Sequence, residues 1–286
     1  MDWLLLLQYA APVALAAIGE TVVQRAGVIN IGLEGSMLLG AYFGMLADFS
    51  TGSPAIGLLA GILAGLAANG LFGFFAILLG RDQVVTGTAM NLLALGLTGT
   101  LYRAKFSNRS DALVVNQIPG WHGIDAVTVG MIFAIPAVWF LLYRSAWGLA
   151  VRACGEYPKS AEAAGFSVHR LRMTATLIGG IFAGLAGAYL SVGVAGSFSE
   201  NMTAGRGFVA IAMVTFGRWK PQLAFLAALL IGFVESLQFR FQAMGWKVPF
   251  QLLIAMPYLV ALAVLVFVGR GTVAPAYLGV PYRKES

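Results

Sequence analysis

Charge is what this sequence has least of. Aspartate, glutamate, lysine and arginine make up 10% of its 286 residues, against about 25% in an ordinary soluble domain. That is too little to coat a soluble surface. The single cysteine, Cys154, excludes an internal disulfide and a multi-cysteine metal site. The two histidines, His122 and His169, fall in different loops, which speaks against zinc. No Gly-rich loop ending in Gly-Lys-Ser/Thr is present to cradle the phosphates of ATP. A His–Glu zinc helix, paired catalytic carboxylates and a Ser/His arrangement at matching depth are missing too, so an intramembrane enzyme is the weakest class. No cofactor and no metal are expected.

What remains is apolar. Hydrophobic residues make up 59% of the chain and the mean hydropathy is +0.83. Uncharged runs cover Trp3–Gly19, Ala55–Gly80, Val84–Tyr102, Ala126–Tyr143, Met173–Ser199 and Val248–Gly269. Most approach or exceed the roughly 20 residues that span a hydrocarbon core. The expected fold is an all-α polytopic membrane bundle in one transmembrane domain, residues 1–286. Nine spanning or partly spanning segments are predicted, at 3–22, 34–49, 55–80, 84–102, 125–143, 173–195, 204–217, 221–237 and 249–269. The segments 34–49 and 204–217 are short enough to be re-entrant. Asp2 stands where a cleavable signal has basic residues, so none is expected.

The net charge of +6 then reads as topogenic rather than as a nucleic-acid signature. The loop 144–172 carries Arg144, Arg152, Lys159, Arg170 and Arg172, which makes it the cytoplasmic candidate. Alternation adds Arg25, Arg81, Arg218, Lys220 and the tail 270–286 with Arg270, Arg283 and Lys284. The other side keeps Arg103, Lys105, Arg109, Arg206, Arg240 and Lys247. The N-terminus is therefore expected outside and the C-terminus inside. Glu20, Glu200 and Glu235 read as interfacial, Gln238 and Arg240 as outer-surface residues.

Polar groups inside such a bundle are candidates for a solute path. Gly27–Gly44 is a glycine-broken apolar stretch holding Asn30 and Glu34, and broken backbone is tolerated at membrane depth only inside protein or beside a water-filled cavity. Asn69 in the third span and Thr86, Thr88 and Asn91 in the fourth complete the set. Neutral amides and hydroxyls suit a neutral, polyhydroxylated solute. Each also has a structural reading: Glu34 as a helix cap or dipole partner, Asn69 as an interhelical hydrogen bond, Thr86 and Thr88 as bonded back to their own helix. Gly57, Gly61, Gly65 and Gly73 form one small-residue ridge, and Gly180, Gly184 and Ala188 another, which lets helices approach closely.

The loop 144–172 is patterned. Pro158 can open a helix, Gly165 can stop it, and Ser167 can cap the next. A short helix lying along the membrane between two spans follows, placed to meet a cytoplasmic partner.

Four segments resemble one family. Residues 26–44, AGVINIGLEGSMLLGAYFG, are similar to the signature of inner-membrane permease subunits of bacterial ATP-binding-cassette importers, in the branch for simple sugars, nucleosides and branched-chain amino acids. Residues 155–166, GEYPKSAEAAGF, resemble that branch's coupling loop, and 205–217, GRGFVAIAMVTFG, its third recurring segment. The end, APAYLGVPYRKES from Ala274, resembles nucleoside-type permeases. One departure is that Gly165 follows Glu162-Ala163-Ala164 directly, whereas the wider importer consensus places a glycine three residues beyond its Glu-Ala-Ala.

The resemblance implies an inner-membrane permease subunit with three partners. These are a cytoplasmic ATPase that binds the ATP, a second homologous permease, and a periplasmic or lipid-anchored solute-binding protein. It implies Glu156, Lys159, Glu162, Gly165, Arg170 and Arg172 as coupling residues. The solute expected is a nucleoside or purine-related compound, with a simple sugar as the other choice. A carrier driven by an ion gradient is the alternative, since broken helices and buried carboxylates also mark that class. A channel fits less well, for want of a ring-forming charge pattern.

Overall fold

The structure, a computed structural model, describes residues 3–106, 115–121, 124–244, 250–268 and 273–282. His122, Arg109, Lys247, Arg270, Arg283 and Lys284 lie outside the described residues.

The described chain is helical. In order come α1 (Trp3–Arg25), α2 (Leu33–Thr51), α3 (Pro54–Gly73) with a π-helical extension (Phe74–Leu78), and α4 (Gln83–Phe106). Then follow α5 (Ala126–Arg144), α6 (Ala146–Glu156), α7 (Pro158–Ala163), and α8 (Val168–Ala188) with a second π-helical extension (Tyr189–Ala195). The last are α9 (Arg206–Phe216), α10 (Pro221–Ala243) and α11 (Phe250–Val268). Among the described residues the only sheet is a two-residue ladder, Gly120–Trp121 against Ile124–Asp125.

Local chemistry sets many boundaries. Pro54 opens α3 at its first turn, where a missing N–H costs nothing. The Asp125 side chain caps α5 by accepting from Thr128 N at 2.7 Å. Pro158 opens α7, Gly165 turns left-handed at φ 85° behind it, and the Ser167 hydroxyl accepts from Arg170 N at the start of α8. All three features match the sequence expectation for this loop. α6 does not follow from it: Ser145 caps an additional helix by accepting from Gly148 N at 2.9 Å, so the loop holds two helices.

Six helices are long and apolar enough to cross a membrane, within Leu6–Arg25, Pro54–Leu78, Gln83–Phe106, Ala126–Arg144, Val168–Ala195 and Pro221–Gln238. The chain is thus a multi-pass membrane protein. α2 has 19 residues but is not in that set. α9 has 11 residues, about 16 Å at 1.5 Å per residue. That is about half of a ~30 Å hydrocarbon core.

α1 and α2 form the centre. α1 is buried on all sides by α5, α8, α9 and α10, and α2 by α3, α4 and α8. The glycine ridges make the α2–α3–α8 contact possible. A methyl group at Gly65 would strike the Gly180 carbonyl, and one at Gly184 the Gly61 carbonyl. The outer faces of α3, α4 and α5 leave Leu59, Leu92 and Phe133 exposed by half or more. Such faces suit lipid or another membrane subunit.

One end of the bundle collects the C-terminus of α1, the α3–α4 turn, α6, α7, the α9–α10 turn and residues 273–282. Arg25 marks it: its Nε donates to the Trp219 carbonyl at 2.8 Å and its Nη1 lies 3.9 Å from Glu156. At the opposite end Val115 N donates to the Gly196 carbonyl, Asn116 Nδ2 donates to the Gly52 carbonyl, and Arg103 pairs with Glu200 at 3.4 Å.

Candidate functional site

Between α1 and α2 the chain leaves helical geometry over residues 26–32. Gly27 takes φ 84°, a backbone conformation that favours glycine. The freed polar groups of this break are met from inside the bundle. Asn30 N donates to Glu20 Oε1 at 3.3 Å, Ile29 N to Gln83 Oε1 at 2.8 Å, and Asn91 Nδ2 to the Ile31 carbonyl at 2.9 Å. Asn91 Oδ1 also accepts from Gly35 N at 2.8 Å. This is the accounting that buried backbone requires.

The amides form a buried chain. Asn30 Nδ2 donates to Asn69 Oδ1 at 2.6 Å, and Asn69 Nδ2 donates to Ser36 Oγ at 2.9 Å. On the other side Gln24 Nε2 donates to Glu20 Oε1 at 3.0 Å, and Trp219 Nε1 donates to Gln24 Oε1 at 2.7 Å. The chain links α1, α2, α3 and the α9–α10 turn. Glu20 is fully buried rather than interfacial. Its signal in the sequence was Gln24 four residues on, the spacing of helical neighbours.

Glu34 opens α2 and reaches across to α9. Its Oε1 accepts from Gly205 N at 2.8 Å and its Oε2 from Gly207 N at 2.6 Å. A carboxylate at a helix N-terminus satisfies orphan N–H groups and complements the helix dipole. Each charge-assisted bond is worth about 1.5–3 kcal/mol. The cap therefore belongs to α9, from 171 and 173 residues away in sequence.

Of the six sequence candidates for a path, the structure joins Asn30, Asn69 and Asn91 around the break and sets Glu34 just beyond it. Thr86 and Thr88 stand apart, their hydroxyls donating to the carbonyls of Asp82 and Val84 on their own helix. Thr88 is exposed on the outer side of α4.

The six coupling candidates divide in two. Lys159, Gly165 and Arg170 are exposed around α7. Glu156, Glu162 and Arg172 engage residues 273–282, which run along the same end of the bundle. Ala276 N donates to Glu156 Oε2 at 3.3 Å, and the Tyr282 hydroxyl donates to Glu162 Oε2. Buried Arg172 donates from Nη1 to the Val280 carbonyl at 2.7 Å. Backbone bonds complete the seam: Tyr277 N to the Gly155 carbonyl at 2.9 Å and Gly279 N to the Gly27 carbonyl at 3.1 Å. The tail thus ties the end of α6, α7 and the start of α8 to the α1–α2 break. Cys154 lies under this seam, fully buried. Burial pushes its thiol above the ordinary value of 9.0, with the nearby Arg172 acting the other way.

Two further polar sites escape the sequence reading. Asp125 receives the Tyr189 hydroxyl and Gln8 Nε2 and is 4% exposed. Arg206 Nε lies 3.5 Å from Glu235 Oε1, with Glu235 only 12% exposed. That pair is inside the bundle, not at its surface. Among the described residues, no group of three or more metal-ligating side chains comes together.

A many-helix membrane bundle with a buried break between helices and a half-length helix capped by a distant carboxylate defines a membrane transport subunit. The chain belongs to the family described as the permease component of branched-chain amino acid transport systems, which matches residues 3–269. Relatives similar in sequence along most of this chain carry transport names. The guanosine ABC transporter permease protein NupQ of Bacillus subtilis is 34% identical over 97% of this chain and 95% of its own length. The nucleoside ABC transporter permease protein NupC of Lactococcus lactis is 31% identical over 98% and 96%. The provisionally named glucose ABC transporter permease protein TsgC13 of Haloferax volcanii is 37% identical over 83% and 77%. A solved ABC transporter provisionally described as of metal-chelate type, in an inward-facing conformation, shares the fold with a TM-score of 0.52 at 18% identity, over 92% of this chain and 84% of the other.

Proposed function

We propose that this chain is the membrane-spanning permease of an ATP-driven importer that carries a nucleoside or related purine compound inward. A separate ATPase, a second permease and a solute-binding protein complete the assembly. The single observation that supports the reading most is the tail seam. It gives a push on α7 a rigid route to the α1–α2 break through Glu162, Tyr282, Gly279 and Gly27. From the break the route continues to Glu34 and α9. A lever joined to broken backbone in this way couples events outside the membrane to the helices inside it. The relatives named for guanosine and nucleoside transport match along nearly their whole length, which favours nucleosides over the sugars of the third relative.

The Arg25 end is the cytoplasmic side in this reading, with the N-terminus outside, because it gathers Arg25, Arg81, Arg152, Arg170 and Arg218. The membrane would be a bacterial inner membrane. Asn30, Glu34, Asn69 and Asn91 stand along the solute path and brace the broken segment that the lever moves, and Lys159, Gly165 and Arg170 face the ATPase. The permease need not bind its solute tightly, because passage requires release.

The test is a mild-detergent pull-down of the tagged chain from its membrane, with partners identified by mass, followed by guanosine uptake in vesicles. Recovery of an ATPase and a second permease, with ATP-dependent uptake, supports the importer. Recovery of the chain alone, with uptake that follows an ion gradient, supports the carrier instead.

A further inference from the structure

We infer that a small cavity beside the Arg206–Glu235 pair is a contact point for the base of the transported nucleoside. The inference rests on the nucleoside reading above and adds to it a site apart from Asn30, Asn69 and Asn91 and next to Glu34, whose carboxylate holds Gly205 and Gly207 on either side of Arg206.

Depth comes first. α9 ends at the Arg25 end, where the Trp219 carbonyl meets Arg25, and its 11 residues reach about 16 Å inward. Its first residue, Arg206, therefore sits near the middle of a ~30 Å core. Glu235 lies within the apolar span Pro221–Gln238. Charged groups at such depth are costly and mark functional places by default.

The cavity is next to them. It measures about 110 Å³ and lies between α1, α9, α10 and α11. That is room for about four waters at ~30 Å³ each, enough for a ring-sized fragment. Its walls are Val13, Val209, Ile231 and Pro257, and its polar groups come from Arg206, Glu235, Gln238 and Tyr258.

The polar groups are partly uncommitted. Arg206 uses Nη1 on the Met202 and Thr203 carbonyls and Nε on Glu235. Its Nη2, Glu235 Oε2 and the Gln238 amide make no hydrogen bond among the described residues. The Tyr258 hydroxyl donates to the Ala204 carbonyl at 2.8 Å, which fixes the ring at the rim. The cavity thus offers one carboxylate oxygen, one guanidinium edge and one amide, between apolar walls.

That set matches the edge of a flat, neutral heterocycle. A carboxylate accepts from ring or exocyclic N–H, a guanidinium donates to a ring carbonyl, and an amide does both. Bases outside a duplex are read in this way, by hydrogen bonds to their edge and apolar contact to their faces. A sugar, hydroxylated all round, would leave hydroxyls against Val13, Val209 and Ile231. A charged solute would find the pair already neutralised. Guanine, with adjacent N–H donors and a carbonyl, is the best fit.

The test uses the assembled transporter, with its ATPase, partner permease and binding protein, in vesicles. Maximal uptake rates of guanosine and uridine are measured side by side for wild type, Glu235→Gln and Gln238→Leu. Gln238 is only partly buried and holds no partner among the described residues, so Gln238→Leu tests the cavity without breaking the ion pair. The expected result is a guanosine-to-uridine ratio that falls about tenfold in Glu235→Gln and several-fold in Gln238→Leu. Equal slowing of both nucleosides, or no change in the ratio, overturns the cavity assignment and leaves the importer reading standing. If neither nucleoside enters wild-type vesicles, the nucleoside reading fails and the base assignment fails with it.

Discussion

The Glu34 carboxylate and the Gly207 amide meet at 2.6 Å although 173 residues separate them. With Gly205 N on its other oxygen at 2.8 Å, Glu34 fastens the start of the half-length helix α9 to the start of α2. A Cβ at Gly207 would lie 2.6 Å from both N and Cα of Glu34, so only glycine permits the approach. Glu34→Ala leaves two N–H groups without their acceptor and is expected to lower stability by about 3–5 kcal/mol. Glu34→Gln keeps one acceptor and should lose about half as much. Thermal unfolding of the purified protein in detergent checks the order. Equal melting of all three forms would remove Glu34 from its role as cap.

Asn91 satisfies two backbone groups where the α1–α2 break meets α2, the Ile31 carbonyl and Gly35 N in the first turn of the helix. Asn91→Leu orphans both and is expected to cost about 2–4 kcal/mol, together with a fall in uptake. Asn91→Asp retains the acceptor for Gly35 N and should fall between. A variant that melts as wild type does yet transports poorly would instead point to contact with the solute.

The tail seam predicts a coupling phenotype. Ending the chain before Val273 removes the tail groups that Arg172, Glu156 and Glu162 bond. Arg172 would then be a buried cation without its acceptor, a costly state. ATP hydrolysis by the assembled transporter is expected to continue while solute uptake falls at least tenfold. Tyr282→Phe, which loses only the bond to Glu162, should show a milder form. Wild-type uptake in the truncated chain would disprove the strap.

Gly165 behaves differently from the packed glycines. At φ 85° an added Cβ meets nothing within 4 Å. The cost of Gly165→Val is therefore backbone strain, about 1–2 kcal/mol, and not collision. The chain is expected to insert and assemble normally while hydrolysis and uptake uncouple. Normal solute-stimulated hydrolysis together with normal uptake would sink the role of this turn.

Cys154 supplies a pH test outside the spans. Its thiol is raised in the folded protein because burial disfavours the thiolate. The unfolded chain ionises first, so this contribution is complete below the ordinary thiol value of 9.0 and is lost as pH climbs beyond it. Stability should decline on the alkaline side, and less steeply in Cys154→Ala. Alkylation by iodoacetamide at pH 8 should be slow in the folded protein and fast after denaturation.

Local chemistry is what the sequence determined by itself. Among the described residues each of the nine expected segments contains a helix, and six of the helices are long and apolar enough to cross a membrane, because apolar run length and helix-end residues act within a few positions. Pro158, Gly165 and Ser167 set the bounds of α7 and α8 for the same reason. The amide role of Asn69 between helices was also readable, since an amide in a glycine ridge has little else to bond.

Partner choice was decided only in the tertiary structure. Glu34 could be read as a dipole partner, but its own helix α2 was the apparent client rather than α9. Glu20 and Glu235 looked interfacial because spans end near them, yet Glu20 is fully buried and Glu235, only 12% exposed, pairs with Arg206 inside the bundle. The docking of the tail on Gly27, Gly155 and Arg172 has no local signature at all. The physical reason is the membrane environment. In water, polar and apolar faces tell which side of a helix is core. Here lipid-facing and core-facing sides are both apolar, so periodicity fades, and only close packing reveals which polar groups meet.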